Sequence, residues 1–149
     1  MASKLVSTLG SNATVWNALT HAHVGLYQLT GGRIGGRFRG VPCLLLHHVG
    51  RKSGKERVTP LMYAEDGDDL VIVASKGGAP HDPVWWLNLK AHPDTTVQVG
   101  GERREVRAER VSSEEKKRLW PHVTSVWPDF DDYQRRTERD IPVIRLERP

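Results

Sequence analysis

The sequence predicts a mainly β fold with short helices (an α+β chain): an antiparallel barrel or split barrel of about six strands behind an N-terminal helix. Three observations carry that expectation. Strand-like apolar segments fall into two groups, each joined by tight polar or Gly-rich turns, as antiparallel pairing requires. Short helical segments sit between those groups, which points away from a parallel α/β sheet. At 149 residues the chain is about one domain long, with room for one core that buries roughly 70% of the extended surface.

Residues 1–40 read as a helix and a connector, and residues 41–149 as the barrel. Ser11 and Asn12 can cap a helix over Ala13–Thr30, where Val15, Trp16, Leu19, Val24, Leu26 and Leu29 keep roughly helical spacing. Such a stripe packs on its own domain or a second subunit, or docks peripherally on a membrane surface, which Trp16 favours. Residues 31–40 are Gly-rich with three arginines and read as a mobile connector. Strand pattern begins at Val41–Val49, turns at residues 50–54, and continues over residues 56–64 and 70–75 as a three-stranded meander. Asp82 as cap and Pro83 at the first helical position open a short helix through Trp85, Trp86 and Leu89, which His92-Pro93 ends. Strands over residues 95–99 and 102–111 meet at Gly100-Gly101. Ser112 and Glu115 have capping spacing for a helix to Val126, Trp127-Pro128 interrupts it, and a short helix over residues 129–139 precedes a last strand over residues 142–146.

Composition excludes some classes of function. No apolar run approaches the ~20 residues a membrane-spanning helix needs. The start, Met1-Ala2-Ser3-Lys4-Leu5, lacks the apolar stretch of an export signal, so a cytoplasmic protein is expected. Cys43 is the sole cysteine, in an apolar strand, and reads as a small hydrophobe. No metal site is expected: His21 and His23 point to different sides of a helix, and His47 and His48 to opposite faces of a strand. His81 and His122 read as capping or surface groups. A net charge of +4 favours anionic partners without choosing among them.

The loop Gly50-Arg51-Lys52-Ser53-Gly54, followed by Arg57, gathers cations, a hydroxyl and glycine-freed backbone N–H groups at one strand turn. Those are the parts that hold a phosphate or carboxylate. It is not a Walker A loop, since its glycines are too close and no helix follows. On spacing alone a solvated hairpin tip is the favoured account. Five tryptophans, three of them near turns or helix ends, would suit a planar anionic ligand beside that loop, although core packing also explains each one.

Three strings taken in order and spacing resemble the deazaflavin-dependent nitroreductase family, which includes quinone and enone reductases. They are Gly50 to Gly54 with Arg57, Val58, Pro60 and Leu61; Val71 to Gly78; and Pro83, Trp85 to Pro93. The likeness continues through Trp120-Pro121, Trp127-Pro128, Tyr133-Gln134 and Ile141-Pro142. The resemblance implies an FMN-binding-like split β-barrel in which reduced coenzyme F420, an 8-hydroxy-5-deazaflavin with a phosphodiester and a glutamate tail, gives hydride to quinones, activated alkenes or nitroaromatics. By matching positions, Arg51, Lys52, Ser53 and Arg57 would hold the phosphate region. Pro60, Met62, Val73, Ala74, Ser75, Lys76, Gly77, Trp85, Trp86 and Asn88 would line the ring or its polyol chain. Trp127, Phe130 and Tyr133 would close over the ring as the substrate pocket; tyrosine is the family's more familiar residue at the first two positions, so two hydroxyls are missing here.

On that resemblance the cofactor carries the chemistry and the barrel supplies placement. Water, Tyr133 or Ser75 protonates the product formed from a small-molecule electron acceptor. Three rival readings stand beside it: an FMN-dependent oxidoreductase on the same barrel, a non-catalytic carrier of the coenzyme, and a nucleic-acid binder. No nucleic acid is expected, because the tryptophans do not alternate with basic residues along one strand face.

Overall fold

The structure, a computed structural model, describes residues 13–149, with side chains from residue 17 onward. The expected cap at Ser11 and Asn12 and the side chains of Val15 and Trp16 lie outside the described residues.

Helix α1 spans Ala13–Thr30, followed by β1 (Arg37–Phe38), β2 (Val41–Val49), β3 (Glu56–Met62), β4 (Ala64–Asp66) and β5 (Asp69–Val73). A short 3₁₀ turn (Lys76–Gly78) leads to α2 (Val84–Ala91), the hairpin β6 (Asp94–Val99) and β7 (Glu102–Arg110), α3 (Ser113–Val126), α4 (Asp129–Arg136) and β8 (Val143–Glu147). Every strand pair is antiparallel, in the order β1-β2-β6-β7-β8-β5-β4, with β3 on the other edge of β2. β3 and β4 are consecutive in the chain and yet end opposite sides of this ladder. The sheet therefore curls into a split barrel, and the expected three-stranded meander is broken at Tyr63, where the chain leaves β2 and joins β5.

The long apolar runs of β2 and β5 are buried on both faces. Leu44, Leu46, Leu70, Ile72 and Ala74 point into the barrel with Trp86, Leu89, Val97, Val106 and Ile144. The alternate residues Val71 and Val73 face outward and are covered by Leu119 and Val123 of α3 and Phe130 of α4. β7 has a solvated face, so only Val106 and Ala108 are buried in it.

Two expectations are revised here. Packing of the apolar stripe on its own domain fails for Leu19, Leu26 and Leu29, which are 54%, 47% and 86% exposed, and the anchor is Tyr27. The Tyr27 hydroxyl accepts the Gly100 N–H at 2.8 Å and reaches the carbonyls of Cys43 and Gln98 at 3.0 and 3.2 Å, so the helix is held by hydrogen bonds to the barrel wall. Residues 31–40 are folded turns, and Arg37 and Phe38 pair with Pro42 and Val41. A third correction concerns α2: Asp82 does not cap it but pairs with Arg139 at 2.9 Å. Ser112 does cap α3, accepting the Glu115 N–H at 3.2 Å. The Glu115 carboxylate turns instead to Arg145, which also holds Asp66 and Asp69.

Candidate active site

The loop between β2 and β3 closes on itself. Gly54 N–H donates to the Gly50 carbonyl at 2.8 Å, Gly50 N–H to the Lys55 carbonyl at 2.9 Å, and Lys55 N–H to the Ser53 hydroxyl at 3.2 Å. A side chain at position 50 would place its Cβ 2.4 Å from that hydroxyl oxygen, so the Ser53 side chain would have to swing aside. Arg51, Lys52, Lys55 and Arg57 are exposed, and among the described residues none of them has an acidic partner. Most other arginines toward the C-terminus are paired, so uncompensated positive charge concentrates at this turn.

From the loop, β3 runs into a groove of about 530 Å³. Its walls bring together Pro60, Met62, Val73, Ser75, Lys76, Gly77, Trp85 and Phe130, all assigned to the site from the sequence. His23 of α1, Phe38 of β1 and Cys43 of β2 also line it. Ala74, Trp86 and Asn88 stand behind the wall, at 0%, 4% and 1% exposure. The floor is held by Arg139, whose guanidinium donates to the carbonyls of Ala74, Ser75 and Ala79 at 2.8 to 3.2 Å while paired with Asp82. Lys76 is left-handed at φ 46, an uncommon conformation for a side-chain-bearing residue, and it faces the groove. At Gly78, φ 82, an added Cβ would lie 2.7 Å from the Tyr133 carbonyl oxygen, so α4 rests directly on the floor.

Aromatic residues cover one side. Phe130 lines the groove and meets Tyr133 edge-on at 6.2 Å. The Trp127 indole N–H donates to the Tyr133 hydroxyl at 3.4 Å, and its ring packs on Phe38.

Behind the cationic loop lies a buried polar chain. Asn88 accepts the Arg51 N–H at 3.0 Å and donates to Nδ1 of His48 at 2.9 Å; Nε2 of His48 meets the Thr59 hydroxyl at 2.8 Å. Burial, then the charges of Arg57 and His47, lower the His48 pKa to about 4, so this imidazole is neutral at pH 7. His23, Phe38, His48 and Arg139 were missed as site residues. A signal existed for one of them: a His pair ending an apolar strand next to the loop. Phe38 and His23 lie ahead of Val41, on β1 and on α1, the helix that the Tyr27 hydroxyl ties to the barrel.

Among the described residues, no group of histidine, cysteine and carboxylate side chains is placed to hold a metal ion.

Residues 19–148 match the family described as F420H(2)-dependent quinone reductase. A protein of Mycobacterium tuberculosis (strain H37Rv) named F420H(2)-dependent quinone reductase Rv1261c is 46% identical over 134 residues, spanning 87% of this chain and 90% of its own. Another from the same organism, Rv3178, is 50% identical over 115 residues, 76% of this chain and 97% of its own. A solved F420-H2 dependent reductase, FDR-A, superposes with a TM-score of 0.66 at 38% identity, covering 71% of this chain and 94% of that one. A structure described as a domain-swapped dimer superposes at 0.67 with 32% identity, covering 91% and 100%.

Proposed function

The chain belongs to the F420H(2)-dependent quinone reductase family, and on that premise we propose that its cationic loop and groove hold reduced coenzyme F420 while an electron-poor acceptor is reduced against it. It is an oxidoreductase that uses F420 as hydride donor. Activated alkenes and nitroaromatics belong to the proposal as acceptors of the same chemical kind as quinones.

One observation carries the assignment of residues. Unpaired cations stand at one end of β3 and an apolar slot at the other, a layout that fits a ligand with an acidic tail and a planar ring. Arg51, Lys52, Ser53 and Arg57 would hold the phosphodiester. The N–H groups of Lys52 and Ser53 have no partner among the described residues and are available to it. Pro60, Met62, Val73 and Trp85 would border the ring, with the peptide groups of Ser75, Lys76 and Gly77 along its polar edge. Ala74 and Trp86 would support that wall from behind, and Asn88 would stand behind the cationic loop. When bound, the reduced coenzyme supplies hydride from its C5 carbon. The protein's share is to place an acceptor carbon within about 3 to 3.5 Å of that atom and to exclude water. Trp127, Phe130 and Phe38 would stack on the acceptor, and Ser75, Tyr133 or water would give the proton that completes the hydroquinone.

Among the described residues no helix is long and apolar enough to cross a membrane. Peripheral contact through α1 is part of this reading, supported by the exposed Leu19, Leu26 and Leu29.

Titration of the purified protein with F420 and, separately, FMN, followed by tryptophan quenching, tests the cofactor; preference for FMN would sink the reading. Stopped-flow mixing of the F420-loaded reduced protein with menadione tests the reaction, and an unchanged deazaflavin spectrum counts against it.

A further inference from the structure

Asn88 and His48 are buried polar side chains, at 1% and 4% exposure, and neither lines the groove. Their orientation follows from one fixed donor. The Arg51 backbone N–H can only donate, so the Asn88 carbonyl oxygen faces it at 3.0 Å. The Asn88 amide group then faces His48, whose Nδ1 must accept at 2.9 Å. The His48 proton is therefore on Nε2, which donates to the Thr59 hydroxyl at 2.8 Å. Three side chains from β2, β3 and α2 thus converge on the first amide after Gly50, ahead of the free N–H groups of Lys52 and Ser53.

We propose that the Thr59–His48–Asn88 chain is a positioning device that sets the cationic loop for the anionic part of the coenzyme, with Asn88 acting through the Arg51 backbone rather than by touching the ligand. This rests on the proposed role of the loop. A loop of mostly Gly, Lys and Ser has little to hold it in register, since its internal hydrogen bonds tie it only to itself. The Arg51–Asn88 bond is its link to α2, and α2 is fixed by the core residues Trp86 and Leu89.

Two probes separate positioning from general support of the fold: F420 itself, and the deazaflavin riboside that ends at the ribityl hydroxyl and lacks phosphate and glutamates. Asn88→Leu, with the same branched heavy-atom skeleton but unable to accept, should weaken F420 binding about tenfold while riboside binding stays within about twofold. Thr59→Val, a milder break at the far end, should act in the same direction by about threefold. Wild-type F420 affinity in Asn88→Leu, or in Thr59→Val should the first variant not fold, overturns the positioning role; so does an equal loss for both probes. Lys52→Ala distinguishes the two levels. If it leaves F420 affinity unchanged, the loop is not the anion site and both readings fall; if it weakens F420 while Asn88→Leu does not, the positioning role alone falls.

Discussion

The ring of Phe38 lies 6.1 Å from that of Trp127, their planes inclined at 47°, so a residue of the N-terminal segment completes the aromatic side of a groove otherwise built by the barrel. An aromatic pair of this kind contributes about 0.5–1.5 kcal/mol beyond the area it buries. Phe38→Ala should therefore raise KM for menadione by about two- to tenfold, while F420 affinity measured by tryptophan quenching stays unchanged. A change in F420 affinity alone would show that Phe38 faces the coenzyme instead.

Lys52→Ala combined with Arg57→Ala should weaken F420 at least about tenfold, because each cation contributes a charge-assisted contact. Wild-type binding should also fall as salt rises, and the double variant should lose most of that dependence.

Arg139 is only 16% exposed at its side chain and satisfies carbonyl oxygens of Ala74, Ser75 and Ala79 together with Asp82. Arg139→Lys keeps the charge but not the planar fork, and should cost about 2–3 kcal/mol in urea unfolding. It should also lower kcat, since Ser75, Lys76 and Gly77 sit on the segment it holds. Full activity with reduced stability would restrict Arg139 to a folding role.

His48 titrates near 4 in the folded protein against an ordinary 6.5. The unfolded chain thus takes up a proton at a pH where the folded one does not. The associated stability is fully present above about pH 6.5 and is lost as pH falls toward about 4; between pH 7 and 5 the loss from this group should be about 2 kcal/mol. Urea unfolding at the two pH values checks it, and His48→Gln should flatten the difference.

Trp85 and Trp86 are neighbours with opposite duties. Both belong to the core cluster, but Trp85 borders the groove, whereas Trp86 does not and has an indole N–H with no partner among the described residues. Trp86→Phe should leave stability unchanged or raise it by about 1 kcal/mol and should not affect F420 affinity, while Trp85→Ala should weaken the coenzyme. The reverse pattern in a paired unfolding and quenching experiment would exchange their roles.

Much of this fold is legible in the sequence where local signals and tertiary packing agree. Ala13–Thr30 and Val41–Val49 have the bounds read from their flanking glycines and apolar pattern, and Gly100-Gly101 turns the β6–β7 hairpin as expected. The break at Tyr63 was not legible, because residues 56–64 carry one continuous strand pattern and the change of partner is imposed by closing the sheet. Asp82 looked like a cap until Arg139, 57 positions away, took its carboxylate. For the same reason Asn88 could be placed at the site but not given its work: a polar residue within Trp-Trp-Leu-Asn-Leu signals burial with a partner, and the partners, His48 and Arg51, meet it only through the β2–β3 turn.

The bare backbone at Gly78 lets α4 sit against the groove's base with no side chain between them. Base and aromatic roof therefore meet at close quarters, and any larger residue at this position would wedge the two apart.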